Sequence, residues 1–139
     1  MALRTSDVSV GTRHRAVVVD NLTRTQIVQY AGASGDYNPL HTDEVFATRV
    51  AGYPSVFAHG MLTMGMTGKM LTDYVGDGRL THFGGRFTSQ VWPGDTLTAT
   101  ATVSAIREES EIVVADFDVE TQNQSGEVVF KGSATARLD

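Results

Sequence analysis

Hydrophobic and polar residues alternate most cleanly in the second half of the chain. Leu97, Ala99, Ala101 and Val103 interleave with Thr96, Thr98, Thr100, Thr102 and Ser104, the period-two pattern of a strand buried on one face. Val113, Ala115, Phe117 and Val119 repeat it. Val128, Phe130, Ala134, Ala136 and Leu138 follow after the turn-rich Gln122-Asn123-Gln124-Ser125-Gly126. Together these segments predict an antiparallel meander of three strands. Phe83, Phe87 and Val91 predict a further strand before Pro93-Gly94-Asp95, whose preset proline and flexible glycine favour a turn between neighbouring strands. An early strand is expected from about Arg13 to Val19, where Val17-Val18-Val19 favours extended backbone; its pairing partner is not specified by the pattern.

The middle of the chain reads as helical. Thr23 can cap a helix and Gln26 can return the bond, with Leu22 and Ile27 spaced as a hydrophobic staple, and Gly32 predicts the end. Thr42 is the expected cap of a second short helix through Val45, Phe46 and Val50. A third helix is predicted from about Gly60 to Tyr74. Met61, Leu62, Met64, Met66, Met70 and Leu71 surround much of it, as in a helix buried on several sides. The methionines read as flexible core packing. Gly65 and Gly68 lower helix propensity there, so each is expected at a close approach of another element.

Composition narrows the classes. The 139 residues are read as one domain, 1–139, with 41% hydrophobic and 19% charged residues. No window approaches the ~20 apolar residues of a membrane span, and the first residues lack the apolar core of a secretory signal, which predicts a cytoplasmic location. A net charge of −5 with scattered basic residues argues against nucleic-acid binding. Without cysteine there is no disulfide, thiolate nucleophile or thiolate metal site. His82 stands isolated, read as solvent-facing or strand-packing. The histidines show no zinc-ligand spacing, and Ser34 lies in no lipase-type nucleophile motif. No metal or redox cofactor is expected.

The chemistry concentrates in Ala33-Ser34-Gly35-Asp36-Tyr37-Asn38-Pro39-Leu40-His41. Gly35 permits a tight backbone and Pro39 disfavours continued helix, so Asp36 and His41 can face one site. That spacing fits either a turn-capping Asp beside a structural His or an acid-base pair. Further on, Ala58-His59-Gly60 opens the apolar helix, whose N-terminal N–H groups suit a developing negative oxygen. Gly60 would let a substrate approach that backbone, or would merely let the chain turn into the helix. His59 reads as a positioning or core histidine.

Tyr30-Ala31-Gly32-Ala33-Ser34-Gly35-Asp36-Tyr37-Asn38-Pro39-Leu40-His41, followed by Ala47, resembles the hydratase signature of the MaoC-like, or (R)-specific enoyl-CoA hydratase, family. Ala58-His59-Gly60-Met61 and Val91-Trp92-Pro93-Gly94-Asp95-Thr96-Leu97 extend the likeness over nearly the whole chain. The resemblance implies an α+β hot-dog fold, a curled antiparallel sheet wrapped around a long central helix. It implies Asp36 and His41 as a catalytic dyad, Asn38 as a support of the loop, His59 and Gly60 at the substrate, and the Gly60 N–H as an oxyanion donor.

The activity implied is reversible hydration of a trans-2-enoyl thioester to its (R)-3-hydroxyacyl form, carried on coenzyme A or an acyl carrier protein. Two rivals stay open: a hot-dog thioesterase, and a noncatalytic acyl-binding subunit. A homodimer, or a heterodimer with a related subunit, is also implied, since pairing protects an exposed strand edge. Chain length, carrier, direction and the division of proton transfer between Asp36 and His41 are not specified.

Overall fold

The computed structural model describes residues 2–139. Thr23 caps the first helix, α1 (Arg24–Ser34): its hydroxyl accepts from the Gln26 N–H at 3.1 Å, and the Gln26 side chain accepts from the Thr23 N–H at 2.9 Å. Leu22 and Ile27 are both buried in one apolar cluster, as a staple requires. The helix runs through Gly32 instead of ending there. Gly35 stops it, taking a φ of +78° that a glycine adopts without strain and returning its N–H to the Ala31 carbonyl.

The second helical segment is a π-helical turn, Phe46–Val50, which buries Ala47. Asp43 and not Thr42 leads it: the Asp43 carboxylate accepts from the Phe46 N–H at 3.1 Å. Thr42 is tied into the preceding turn through its N–H to the Pro39 carbonyl.

Helix α2 (Gly60–Val75) carries Thr63, Thr67, Met70, Leu71 and Val75 inward. Its burial is less complete than the methionine-rich pattern predicts. Met61 is 53% exposed, and Gly65, Lys69 and Asp73 continue that outer stripe at helical spacing. Of the two glycines, only Gly68 fits the expected close approach: a β-carbon there would lie 3.2 Å from the Phe83 ring, whereas one at Gly65 would meet nothing within 4 Å.

Five antiparallel strands form one sheet in the order β1-β3-β4-β5-β2. They are β1 (Arg13–Val19), β2 (Leu80–Phe87), β3 (Leu97–Glu109), β4 (Ile112–Gln122) and β5 (Val128–Arg137). The meander of β3, β4 and β5 is the expected one, and β1 finds its partner in β3, with Ala16 opposite Ala99. The Pro93-Gly94-Asp95 turn does not join neighbours. It lies between β2 and β3, which are separated in the sheet by β5 and β4. Its backbone instead pairs with Leu22, through Gly94 N–H to Leu22 O and Leu22 N–H to Asp95 O. Val91 falls outside β2 and packs in the cluster of Leu22 and Ile27.

Alanines 99, 101, 115, 134 and 136 line the inner face of the sheet, fully or almost fully buried. Small side chains there leave room for α2, whose Met70, Leu71 and Val75 join the same core as Phe117 and Phe130. Thr67 and Thr121 meet inside this core, their hydroxyls 2.6 Å apart. The curled sheet around one long helix is a hot-dog fold, as the resemblance implies. Its β2 edge is open, and Phe87 at the end of that strand is 45% exposed.

Candidate active site

The end of α1 sets the geometry. Past the left-handed Gly35, three short side-chain bonds stiffen the loop: Ser34 Oγ accepts from the Asp36 N–H, Asp36 Oδ1 from the Asn38 N–H, and Asn38 Oδ1 from the Leu40 N–H. The Asn38 carbonyl then accepts from the His41 N–H at 3.0 Å. Asn38 is thus a brace of the loop, and the Asp36 carboxylate stays solvent-exposed while His41 is buried.

The tautomers of both buried histidines follow from their partners, because a carbonyl oxygen only accepts. His41 Nδ1 lies 2.7 Å from the Phe57 carbonyl, so Nδ1 holds the proton and Nε2 keeps a free lone pair. His59 Nε2 lies 3.0 Å from the Asp36 carbonyl, so it donates there and anchors the backbone of the acidic residue. Its Nδ1 is left a buried acceptor with no partner. The two rings stack at 3.8 Å and 25°, with Tyr30 edge-on to His59 and Phe57 edge-on to His41.

Burial pushes the His41 pKa below the ordinary histidine value. The Phe57 carbonyl opposes this by holding Nδ1–H, the neighbouring His59 adds to it, and Asp36 works against it. His41 is therefore neutral at physiological pH and equipped to take a proton at Nε2.

Asp36, His41 and His59 also offer ligand atoms within 4.8 Å of one another, near enough for a cation. The stacked rings argue against one. Imidazole lone pairs lie in the ring plane, and two nearly parallel planes do not converge on an ion about 2 Å from both.

Gly60 opens α2 directly behind this cluster, and the His59 side chain makes no capping bond. The Leu62 N–H turns back to the His59 carbonyl, while the Gly60 and Met61 N–H groups keep their partial positive charge for another acceptor. A cleft of about 290 Å³ starts there, lined by Phe57, Ala58, Gly60, Thr63, Phe87 and Val91 among others. Phe57 joins the two regions, its carbonyl holding His41 while the residue walls the cleft. The glycine at 60 has a structural reason beyond those expected: a β-carbon would lie 2.8 Å from the Phe87 ring.

All five residues singled out in the sequence, Asp36, Asn38, His41, His59 and Gly60, lie on this loop or at the start of α2. Sequence reasoning missed Phe57, which acts through a backbone carbonyl that any residue would supply. It also missed Thr63, whose one visible signal is a hydroxyl among apolar neighbours three residues after Gly60. His82 is exposed on β2, and His14 stacks on Tyr74 at 4.1 Å, both away from the site.

Residues 6–124 match the model of the MaoC like domain. The (R)-specific enoyl-CoA hydratase of Rhodospirillum rubrum is 33% identical over 125 residues, 88% of this chain and 84% of that protein. The 3-hydroxyacyl-thioester dehydratase Y of Mycobacterium tuberculosis is 40% identical over 89 residues, covering 62% of this chain but only 31% of that longer protein. Less than a third of such first-ranking relatives is therefore matched by this chain. Among solved structures, the (R)-hydratase from A. caviae superposes with a TM-score of 0.84 at 27% identity, over 97% of this chain and all of the other. The chain belongs to the MaoC-like domain family.

Proposed function

We propose that the chain is a hydro-lyase that reversibly hydrates trans-2-enoyl thioesters to (R)-3-hydroxyacyl thioesters, with Asp36 and His41 as its acid-base pair. The observation that carries this reading is the fixed tautomer of His41. With Nε2 left bare, His41 sits in one cluster with Asp36 and His59, their ligand atoms within 4.8 Å of one another, next to the residue that opens α2. Conjugation makes C3 of the enoyl group electrophilic. Water adds its oxygen there, its proton passes to the pair, and charge flows through C2 to the thioester oxygen. The Gly60 N–H stabilises that oxygen, and the pair returns a proton to C2. Addition of water is redox-neutral overall, so the reaction needs no redox cofactor. Asn38 holds the loop and His59 holds the Asp36 backbone.

The open β2 edge and the exposed Phe87 and Met61 support a homodimer, or a heterodimer with a related subunit, with the cleft near the shared edge. No helix of the described residues is long and apolar enough to cross a membrane; a cytoplasmic location is part of the proposal. The test is a chain-length series of 2-enoyl thioesters on coenzyme A and on acyl carrier protein, read by enoyl absorbance and by thiol titration together. Hydration bleaches the absorbance and releases no thiol. Thiol release would identify a thioesterase, and binding without turnover a noncatalytic subunit.

A further inference from the structure

We propose that Thr63 is a second donor to the thioester oxygen, acting beside the Gly60 N–H; this rests on the hydratase reading. Thr63 is 2% exposed, and its hydroxyl has no hydrogen-bond partner. A threonine inside a helix ordinarily satisfies its hydroxyl on the carbonyl four residues back. Here that carbonyl belongs to His59, and it receives the Leu62 N–H instead. A buried hydroxyl left without a partner is destabilising, so its retention at this position points to an acceptor that arrives with the substrate.

The placement fits. Side chains on a helix lean toward its N-terminus, which directs Thr63 over the first turn, and Thr63 and Gly60 line the same cleft. A carbonyl oxygen has two lone pairs, and its charge grows as water adds at C3, so one N–H leaves half its capacity unmet. The other polar side chains around the cleft are less suited. Thr88 already donates to the Val128 carbonyl at 2.6 Å, and Ser89 and Gln90 lie on the solvent side, half-buried and exposed respectively. The Phe87 ring lies over Gly60 and is 45% exposed, so an entering acyl group has one solvent-facing ring to displace before it reaches both donors.

Thr63→Val keeps the shape and removes the donor; Thr63→Ser restores it. With the 2-enoyl-CoA of the chain length hydrated fastest, Thr63→Val lowers kcat about tenfold or more and Thr63→Ser returns most of it. Tm of the free Thr63→Val protein stays level or rises, because an unsatisfied hydroxyl has been removed. An infrared arm uses the saturated acyl-CoA of the same length with a ¹³C-labelled carbonyl, which cannot be hydrated. Its stretching frequency falls on binding to the wild type, falls less with Thr63→Val, and recovers with Thr63→Ser. An unchanged kcat and frequency in Thr63→Val overturns the proposal, as does a Tm lowered in step with activity. A wild type that hydrates no enoyl thioester sinks the hydratase reading instead, and the infrared arm then decides Thr63 by itself.

Discussion

Replacing Gly60 by alanine separates packing from chemistry at the start of α2. The added carbon lies 2.8 Å from Cδ2 and Cε2 of Phe87 and 2.9 Å from Cγ. Ordinary carbon contacts are ~3.5–4.0 Å, so the ring must retreat by roughly 0.7–1.2 Å. Phe87 rests on Phe130 with ring centroids 5.7 Å apart and is 45% exposed, so it has solvent to move into. Crowding of this kind costs about 1–3 kcal/mol, offset by up to about 1 kcal/mol from the better helix propensity of alanine. The net loss is about 0–3 kcal/mol, or a fall in Tm of up to roughly 12 °C. In a Phe87→Ala background the contact is gone. Gly60→Ala then costs no stability beyond Phe87→Ala alone, yet still slows hydration, because the methyl remains beside the N–H that faces the thioester oxygen. Thermal melts and enoyl absorbance on the four proteins of the cycle measure both effects. If Gly60→Ala in the Phe87→Ala background leaves turnover untouched, glycine is there for the ring alone and the oxyanion role is wrong.

The His41 environment makes a pH prediction. A depressed pKa keeps the imidazole neutral to lower pH, so the acid limb of kcat/KM for hydration has its midpoint below 6.5; a limb at or above that value contradicts the burial argument. The same depression means the unfolded chain takes up the proton first, so stability is lost as pH falls from about 6.5 through the folded value. Melts of wild type and His41→Gln over that range show whether the loss belongs to this residue. Inside the core, Thr67→Val strands the Thr121 hydroxyl and lowers stability by about 1–3 kcal/mol, while Thr67→Val with Thr121→Val is closer to wild type. A double variant whose loss equals the sum of the two single losses would show that the hydroxyl pair is not coupled.

The strands of the meander were legible because alternation is a local property: each inward alanine or valine of β3 and β4 is visible two residues from the next. Pairing was less so. Nothing within Arg13–Val19 names β3 as its neighbour, and the Pro93-Gly94-Asp95 turn looks locally like a hairpin although its strands are two sheet positions further apart than neighbours. The Thr23 cap was readable from two residues three apart, whereas Asp43 caps in place of the expected Thr42 because the turn after Pro39, whose carbonyl takes both their N–H groups, carries on through Asp43. At the site, Asp36, Asn38, His41, His59 and Gly60 were named from motif and resemblance. What stayed hidden acts through backbone or through space: the Phe57 carbonyl that sets the His41 tautomer, the ring stack that joins His41 to His59, and the Phe87 ring that requires a glycine at 60.

The central claim is that Asp36 and His41 move the protons of hydration. Its most direct measurement is kcat/KM for a 2-enoyl thioester with Asp36→Asn and His41→Gln, each checked for fold by circular dichroism. Both replacements nearly preserve size while removing proton-transfer capacity, and each is predicted to lower hydration by about 10² or more with the fold intact. Near-wild-type hydration by either folded variant would contradict the account.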